Sequence, residues 1–205
     1  MFVRAFLIKN VMLGLKLPSD PRWVNIVEKD IAMILTDHAY CEQKAASNAI
    51  SMAIKYPMHS ELVSAMIEVA QEELTHFEMV HQKLLNRGFK LGPEKRDEYV
   101  HDLLAFIRKS GKSEQETLVD RLLFSAMIEA RSCERFRLLS QEIADDDLKE
   151  FYHELMISEA NHYTMFIGFA RSLGKGIDVD SRWEEFLIYE AEILKKYNTA
   201  GTMHG

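Results

Sequence analysis

Two Glu-x-x-His motifs, in the segments Glu73–His76 and Glu159–His162, are the residues of this chain best suited to chemistry. A spacing of three places both side chains of a motif on one face of a helix. Two other stretches with helical periodicity each contribute one inward glutamate, at Glu42 and Glu129. One glutamate from each of two helices, with a Glu-x-x-His pair from each of two others, forms the ligand set of a dinuclear metal site in a four-helix bundle. The sequence therefore predicts six metal ligands: Glu42, Glu73, His76, Glu129, Glu159 and His162.

The Glu-x-x-His pattern alone is a weak signal, because the chain contains five matches where about one is expected by chance. Helical phase separates them. At about 100° per residue, Glu150 lies about 180° from Glu159, and Glu78 lies about 140° from Glu73, so both of those pairs face away from the core. The pair that begins at Glu98 lies in the connection between the two halves of the bundle. Only the two motifs named above have apolar neighbours one turn before and after them.

The height of each glutamate along its helix is an independent test. In each pair of helices the two selected glutamates lie about 15 residues from the intervening turn, which makes them level in an antiparallel pair at 1.5 Å per residue. On this test Glu129 is preferred to Glu134, which lies only about 10 residues before its turn. Four carboxylates near one bundle axis would be very costly without a metal.

The elements that must position these residues are long helices, because the chain has only four prolines and nine glycines. Helix starts are indicated by Asp20-Pro21 and by a capping box at Ser113 and Glu116. The end of a helix is indicated by Gly88 as a C′ residue. We predict an all-α four-helix bundle with one long crossover and an additional C-terminal helix, forming a single domain over residues 1–205. The predicted bundle helices span about 21–56 (with room for a break), 59–87, 114–143 and 146–173, and the extra helix spans about 181–197.

Composition limits the setting of the protein. Two cysteines without a Cys-x-x-Cys motif favour a reducing compartment, and no apolar run is long enough to span a membrane, so we expect a cytoplasmic protein. Lys9 interrupts the apolar start of the sequence and no cleavage-site pattern follows it, so we interpret this segment as packing on the bundle. The tail from Asn198 to Gly205 is expected to be loose.

Carboxylates with two imidazoles favour iron or manganese, and a thiolate-rich zinc site is absent from the sequence. Such a ligand set leaves coordination positions open for O2. Three classes fit it: an oxygenase, a ferritin-type protein that oxidises or stores iron, and a peroxide-reducing or catalase-like protein with a dinuclear metal site. The long crossover and the extra helix favour the oxygenase over a ferritin-type cage.

Four strings of the sequence resemble those of the tRNA 2-methylthio-N6-isopentenyladenosine hydroxylases: Asp37–Ala46, Glu72–Glu78, Ile128–Phe136 and Ser158–Tyr163. The resemblance extends from about residue 20 to the last helix. It implies a ferritin-like non-haem diiron monooxygenase that hydroxylates the isopentenyl side chain of a hypermodified adenosine next to the tRNA anticodon. It also implies that the six predicted ligands bind two iron ions (Fe2+), with no catalytic residue beyond them.

The resemblance further implies that O2 is a cosubstrate, that tRNA is the substrate, and that electrons come from a separate reductase. A tRNA substrate must be reconciled with a formal net charge of −7. Arg87, Lys90, Lys95 and Arg96 form a basic cluster after the second bundle helix and are candidate tRNA contacts. The alternative is that they complement the dipole at the helix C-terminus.

Overall fold

The computed structural model describes residues 13–108, 113–197 and 201–204. All regular secondary structure within these ranges is helical, which confirms the all-α prediction. The seven helices are α1 (Trp23–Val27), α2 (Ile31–Lys55), α3 (Ser60–Asn86), α4 (Glu98–Leu104), α5 (Glu114–Glu142), α6 (Asp146–Leu173) and α7 (Val179–Tyr197). None of the described helices is long and apolar enough to cross a membrane. Residues 1–12 of the apolar start, including Lys9, lie outside the described residues, whereas Leu13 and Leu15 are buried.

The chain divides into two compact units. The first unit comprises Val27–Arg96 and Gly201–Met203, and it consists mainly of α2 packed against α3. The side chain of Asp30 caps α2 by accepting a hydrogen bond from the Met33 amide. At the end of α3, Gly88 has a φ of +74°, a conformation that favours glycine. The prediction of Gly88 as the C′ residue is therefore confirmed.

The second unit contains α4, α5, α6 and α7 and all of α1 except Val27, and its largest interface is between α5 and α6. The predicted capping box is present at the start of α5. The hydroxyl of Ser113 accepts a hydrogen bond from the Glu116 amide, and the carboxylate of Glu116 accepts one from the Ser113 amide. Gly174 follows α6. A Cβ atom there would lie 2.6 Å from both the Ala170 carbonyl oxygen and a Val179 methyl group, so the close approach of α6 to the start of α7 requires glycine.

The helix boundaries match the predicted ones within a few residues, with three differences. The first predicted helix divides into α1 and α2, as the allowance for a break anticipated. The long crossover contains a short helix, α4, which is not among the predicted helices and begins after the Asp97 cap. The prediction of a loose tail is wrong for Met203 and His204, which are buried. Residues 198–200 and 205 of that tail lie outside the described residues.

Candidate metal centre

In the first unit, three of the predicted ligands meet in the interior. Glu42 on α2 and the pair Glu73 and His76 on α3 are all buried. The Nδ1 atom of His76 lies 3.3 Å from Oε2 of Glu73 and 4.0 Å from Oε2 of Glu42. One ligand atom from each of the three residues lies within 4.8 Å of the other two. We call these residues the first trio.

Two neighbouring side chains support the first trio. His38, one turn before Glu42 on α2, is fully buried, and its Nε2 atom lies 2.5 Å from Oε1 of Glu42. This contact leaves Oε2 of Glu42 as the atom directed towards His76. On the outer side of His76, Nε2 lies 3.9 Å from the half-exposed carboxylate of Glu72. An imidazole whose outer nitrogen faces a carboxylate is oriented for metal binding through its inner nitrogen.

The second unit brings together the other three predicted ligands. Glu129 on α5 and the pair Glu159 and His162 on α6 are all buried, and one ligand atom from each lies within 4.8 Å of the other two. We call these residues the second trio. Its composition of two carboxylates and one imidazole is the same as that of the first trio.

Cys133, one turn after Glu129 on α5, directs its thiol to a backbone carbonyl group. Burial, together with the nearby carboxylate of Glu159, raises the pKa of the Cys133 thiol to about 12. The thiol lies 3.5 Å from the Met156 carbonyl oxygen and donates a hydrogen bond to it. The groups of ligand atoms that converge within 4.8 Å around Glu129, Glu159 and His162 do not include the Cys133 sulfur.

The donor set of each trio fits a hard or borderline divalent metal ion. Two carboxylates buried beside each other repel, and burial of their charge is costly unless a cation compensates it. Carboxylate oxygens with one imidazole nitrogen are ligands suited to iron or manganese. Three protein ligands also leave coordination positions open, as a reactive metal requires.

The glutamates that were not predicted as metal ligands lie outside the two trios. Glu78, Glu98 and Glu150, which begin the other three Glu-x-x-His matches, are exposed. The carboxylate of Glu134 accepts hydrogen bonds from the amide and hydroxyl of Ser19 and from Arg131. Glu134 is therefore part of a buried ion-pair network in the second unit.

The four predicted tRNA contacts have three kinds of environment. Lys90 and Lys95 are exposed and line a cleft in the first unit with a volume of about 260 Å³. The guanidinium of Arg87 donates to the Lys83 carbonyl oxygen at 3.3 Å, as expected of a basic group at a helix C-terminus. Arg96 is exposed and does not line the cleft.

One arrangement in the second unit was not predicted from the sequence. His204 is buried, its Nδ1 atom lies 3.1 Å from Oδ2 of Asp97, and its Nε2 atom lies 3.1 Å from the hydroxyl of Ser132. Its ring stacks on Tyr99 with centroids 5.9 Å apart. Because the last eight residues lack periodicity, no sequence signal indicates that His204 joins the core one turn from Glu129.

Comparisons with known proteins agree with this architecture. The profile of the family described as tRNA-(MS2IO6A)-hydroxylase (MiaE) matches residues 6–205. A protein from Pseudomonas putida named tRNA 2-(methylsulfanyl)-N(6)-isopentenyladenosine(37) hydroxylase is 36% identical over 189 residues, which cover 92% of this chain and 90% of the relative. A protein of the same name from Salmonella typhimurium is 26% identical over 237 residues, covering 92% of this chain and 86% of that relative.

A solved structure is also similar to this chain. It is described as "Protein 43 with aldehyde deformylating oxygenase activity from Synechococcus" and aligns with a TM-score of 0.84 and 32% identity. The alignment covers 93% of this chain and 95% of the other. Because that structure has the ferritin-like fold, the predicted fold class is confirmed.

Proposed function

Because this chain belongs to the tRNA-(MS2IO6A)-hydroxylase (MiaE) family, we propose that it hydroxylates the isopentenyl side chain of 2-methylthio-N6-isopentenyladenosine in tRNA. The observation that carries this proposal is the presence of two buried trios of identical composition, each on a pair of long helices, in a chain of this family. The protein is an enzyme, and its substrate class follows from its family.

The six residues of the two trios are proposed to hold two iron ions as one dinuclear centre. Glu42, Glu73 and His76 would supply one half of the ligands. Glu129, Glu159 and His162 would supply the other half. This assignment is supported by the ligand pattern of carboxylate-bridged metal sites in helix bundles, where two single glutamates accompany two Glu-x-x-His pairs.

When bound, the iron pair would supply activation of O2 for insertion into a C–H bond. The overall reaction consumes the substrate, O2, two electrons and two protons, and it yields the hydroxylated substrate and water. The sequence contains no flavin or iron–sulfur motif, so the two electrons are proposed to come from a separate reductase. The chain's own share is to fix the ligands and keep water from them.

The positioning of the ligands can be assigned to particular atoms. Nε2 of His38 holds Oε1 of Glu42, and Glu72 faces the outer nitrogen of His76. The complete burial of Glu73 keeps bulk water from the first trio. In the second trio, burial of Glu159 and His162 has the same effect.

Recognition of tRNA is proposed to involve Arg87, Lys90, Lys95 and Arg96. Their local positive charge would contact backbone phosphates despite the negative net charge of the chain. A tRNA substrate also supports a cytoplasmic location.

The test is mass spectrometry of nucleosides from fully modified tRNA incubated with iron-loaded protein, a chemical reductant and O2. We expect the isopentenyl adenosine to gain one oxygen atom, and the E159Q variant to produce none. Protein that oxidises Fe2+ rapidly but leaves the nucleoside unchanged would support the ferritin-type alternative instead.

A further inference from the structure

The cleft in the first unit is separate from the first trio. Its walls are formed by the start of α2, including Met33 and Thr36, and by the segment after α3, including Pro93. At about 100° per residue, Met33 and Tyr40 lie roughly 180° and 160° around α2 from Glu42. The cleft therefore opens on the face of α2 opposite to the proposed metal ligand.

Two hydrogen bonds hold the walls of the cleft together. The hydroxyl of Tyr40 donates to the Gly92 carbonyl oxygen at 2.9 Å. The Gly92 amide donates to the hydroxyl of Thr36 at 3.5 Å. The segment after α3 is thereby fixed against α2, and a preformed cleft loses less conformational entropy when a ligand binds.

The positive charges of the cleft are available to a ligand. Within residues 13–108, 113–197 and 201–204, neither Lys90 nor Lys95 has a hydrogen-bond or ion-pair partner. The neighbouring Glu94 pairs instead with Lys44, at 2.9 Å. Two ammonium groups that line one cleft suit a phosphate group.

The cleft also contains two carboxylates, which disfavour a free inorganic phosphate as its ligand. Asp30 accepts from the Met33 amide at 2.9 Å, and Asp37 accepts from the Met203 amide at 2.6 Å. Carboxylates that line a cleft repel a second anion but can accept hydrogen bonds from the amino groups of a base. Tyr40 adds an aromatic surface, on which unpaired bases of RNA commonly stack.

We propose that this cleft binds one nucleotide of the tRNA anticodon arm other than the modified adenosine. Lys90 and Lys95 contact its phosphate, and its base lies against Tyr40 with an amino group directed towards the carboxylates. The volume of about 260 Å³ is slightly below the roughly 300–1,000 Å³ typical of ligand pockets, which limits the cleft to no more than one nucleotide. This inference rests on the proposed function, because it assumes a tRNA substrate.

The first experiment locates the nucleotide by filling the cleft without changing its charge. Binding of a fluorescent anticodon hairpin is measured for the wild type and for A32F, with an abasic nucleotide placed at each loop position in turn. For the wild type, one abasic position other than that of the modified adenosine should weaken binding about tenfold, the size of one lost stacking contact. In A32F the intact hairpin should already bind about tenfold more weakly, and the same abasic position should cause no further loss.

The second experiment tests the phosphate contact with surface variants that leave the core intact. K90Q/K95Q should weaken hairpin binding about tenfold and reduce the slope of log affinity against log salt by roughly 0.7 per lost phosphate contact. The charge-matched control is K149Q/K175Q, which alters two lysines distant in sequence from the cleft. Inorganic phosphate, added in excess over the hairpin at constant ionic strength, should not displace the hairpin.

Three results would overturn the subsite. The first is equal hairpin affinity for K90Q/K95Q and K149Q/K175Q. The second is that no abasic position has a smaller effect in A32F than in the wild type, and the third is that only the position of the modified adenosine does. Displacement of the hairpin by inorganic phosphate would also overturn it, because it would identify a simple anion site. Hydroxylation of intact tRNA by the wild type separates the two claims. If the wild type hydroxylates tRNA but A32F does not change the effect of any abasic position, the subsite alone is rejected. If the wild type does not hydroxylate tRNA, the proposed function is rejected.

Discussion

The helix pair α2–α3 and the helix pair α5–α6 carry trios of the same composition in very different surroundings. Nearly two thirds of the residues of α5 are buried, whereas fewer than a third of those of α3 are. Most of the large apolar side chains that are exposed in the described structure lie on or beside the first pair: Ile50, Ile54, Met58, Ile67, Leu74, Leu85 and Phe89.

Buried charge is the second difference between the two pairs. Arg131 on α5 pairs with Glu190 at 2.7 Å and with Glu134 at 3.1 Å, and all three side chains are buried. In the first unit, the polar side chains beside the trio are His38, 2.5 Å from Glu42, and Glu72, 3.9 Å from His76. The helix that carries Glu129 is therefore also held by a buried ion-pair network, whereas the first trio has the side chains of His38 and Glu72 beside it.

The largest expected effect is a loss of hydroxylation activity, and it should be equal for the two helix pairs because each pair carries one trio. E73Q and E159Q each replace a carboxylate of one trio with a neutral amide of similar shape. Each should lower hydroxylation by at least about a thousandfold, as removal of a group that acts directly in the chemistry does. Product formation per hour measures this. Loss of activity in only one of the two would break the equivalence of the trios.

The next largest effect is a loss of folding stability when the ion-pair network of the second helix pair is broken. R131M leaves two buried carboxylates without their guanidinium partner and should lower the free energy of unfolding by about 3–5 kcal/mol. Urea denaturation followed by circular dichroism measures it. The double variant R131M/E190M should recover part of the loss, because it removes an uncompensated charge. A change below about 1 kcal/mol for R131M would contradict the structural role of the network.

A smaller effect is expected in the first pair, on metal affinity rather than on folding. H38L removes the imidazole that holds Glu42 and should weaken Fe2+ binding by about 10–100-fold. Competition with a coloured chelator measures this affinity, and H38Q, which keeps a hydrogen-bonding group, should lose less. S125A is the matched control, because Ser125 occupies the equivalent position four residues before Glu129. An equal loss in S125A would show that His38 has no special role.

The smallest effect is a dependence of stability on pH in the second unit. Burial raises the pKa of Asp120, but hydrogen bonds from Arg182 and Arg108 outweigh burial and hold the pKa below its usual value. The resulting stability is present above the unfolded-state pKa of about 3.9 and is lost as the pH falls through the folded-state pKa. D120N should therefore cost about 1.5 kcal/mol at neutral pH and progressively less as the pH falls below about 4.

Urea denaturation of the wild type and D120N at several pH values checks this dependence. D146N is the control, because Asp146 is exposed, and its stability difference from the wild type should stay small at every pH. A cost of D120N that does not change with pH would contradict the assignment of a depressed pKa to Asp120.

The sequence indicated the fold and the trios because both follow from local periodicity. Glu73 and His76 stand in an apolar helical stripe, and the capping box at Ser113 and the glycine at Gly88 mark helix ends through contacts with near neighbours. These features need no knowledge of distant residues. Phase and height were enough to separate Glu129 from Glu134.

The features that the sequence did not reveal depend on pairs that are far apart in the chain. Arg131 meets Glu190 across 59 residues, and Ser132 meets His204 across 72. Charge, hydroxyl and imidazole groups are usually exposed, so nothing in their local pattern marks them as buried. The burial of His204 and the role of Glu134 could be read only from the folded chain.

The most direct test of the central claim is Mössbauer spectroscopy of the oxidised, iron-loaded protein, together with its iron content. If the two trios form one dinuclear centre, the protein should bind two iron ions per chain, and they should appear as a spin-coupled pair. E73Q and E159Q should both abolish the coupled signal. Two uncoupled iron sites, or a single iron ion per chain, would contradict the account.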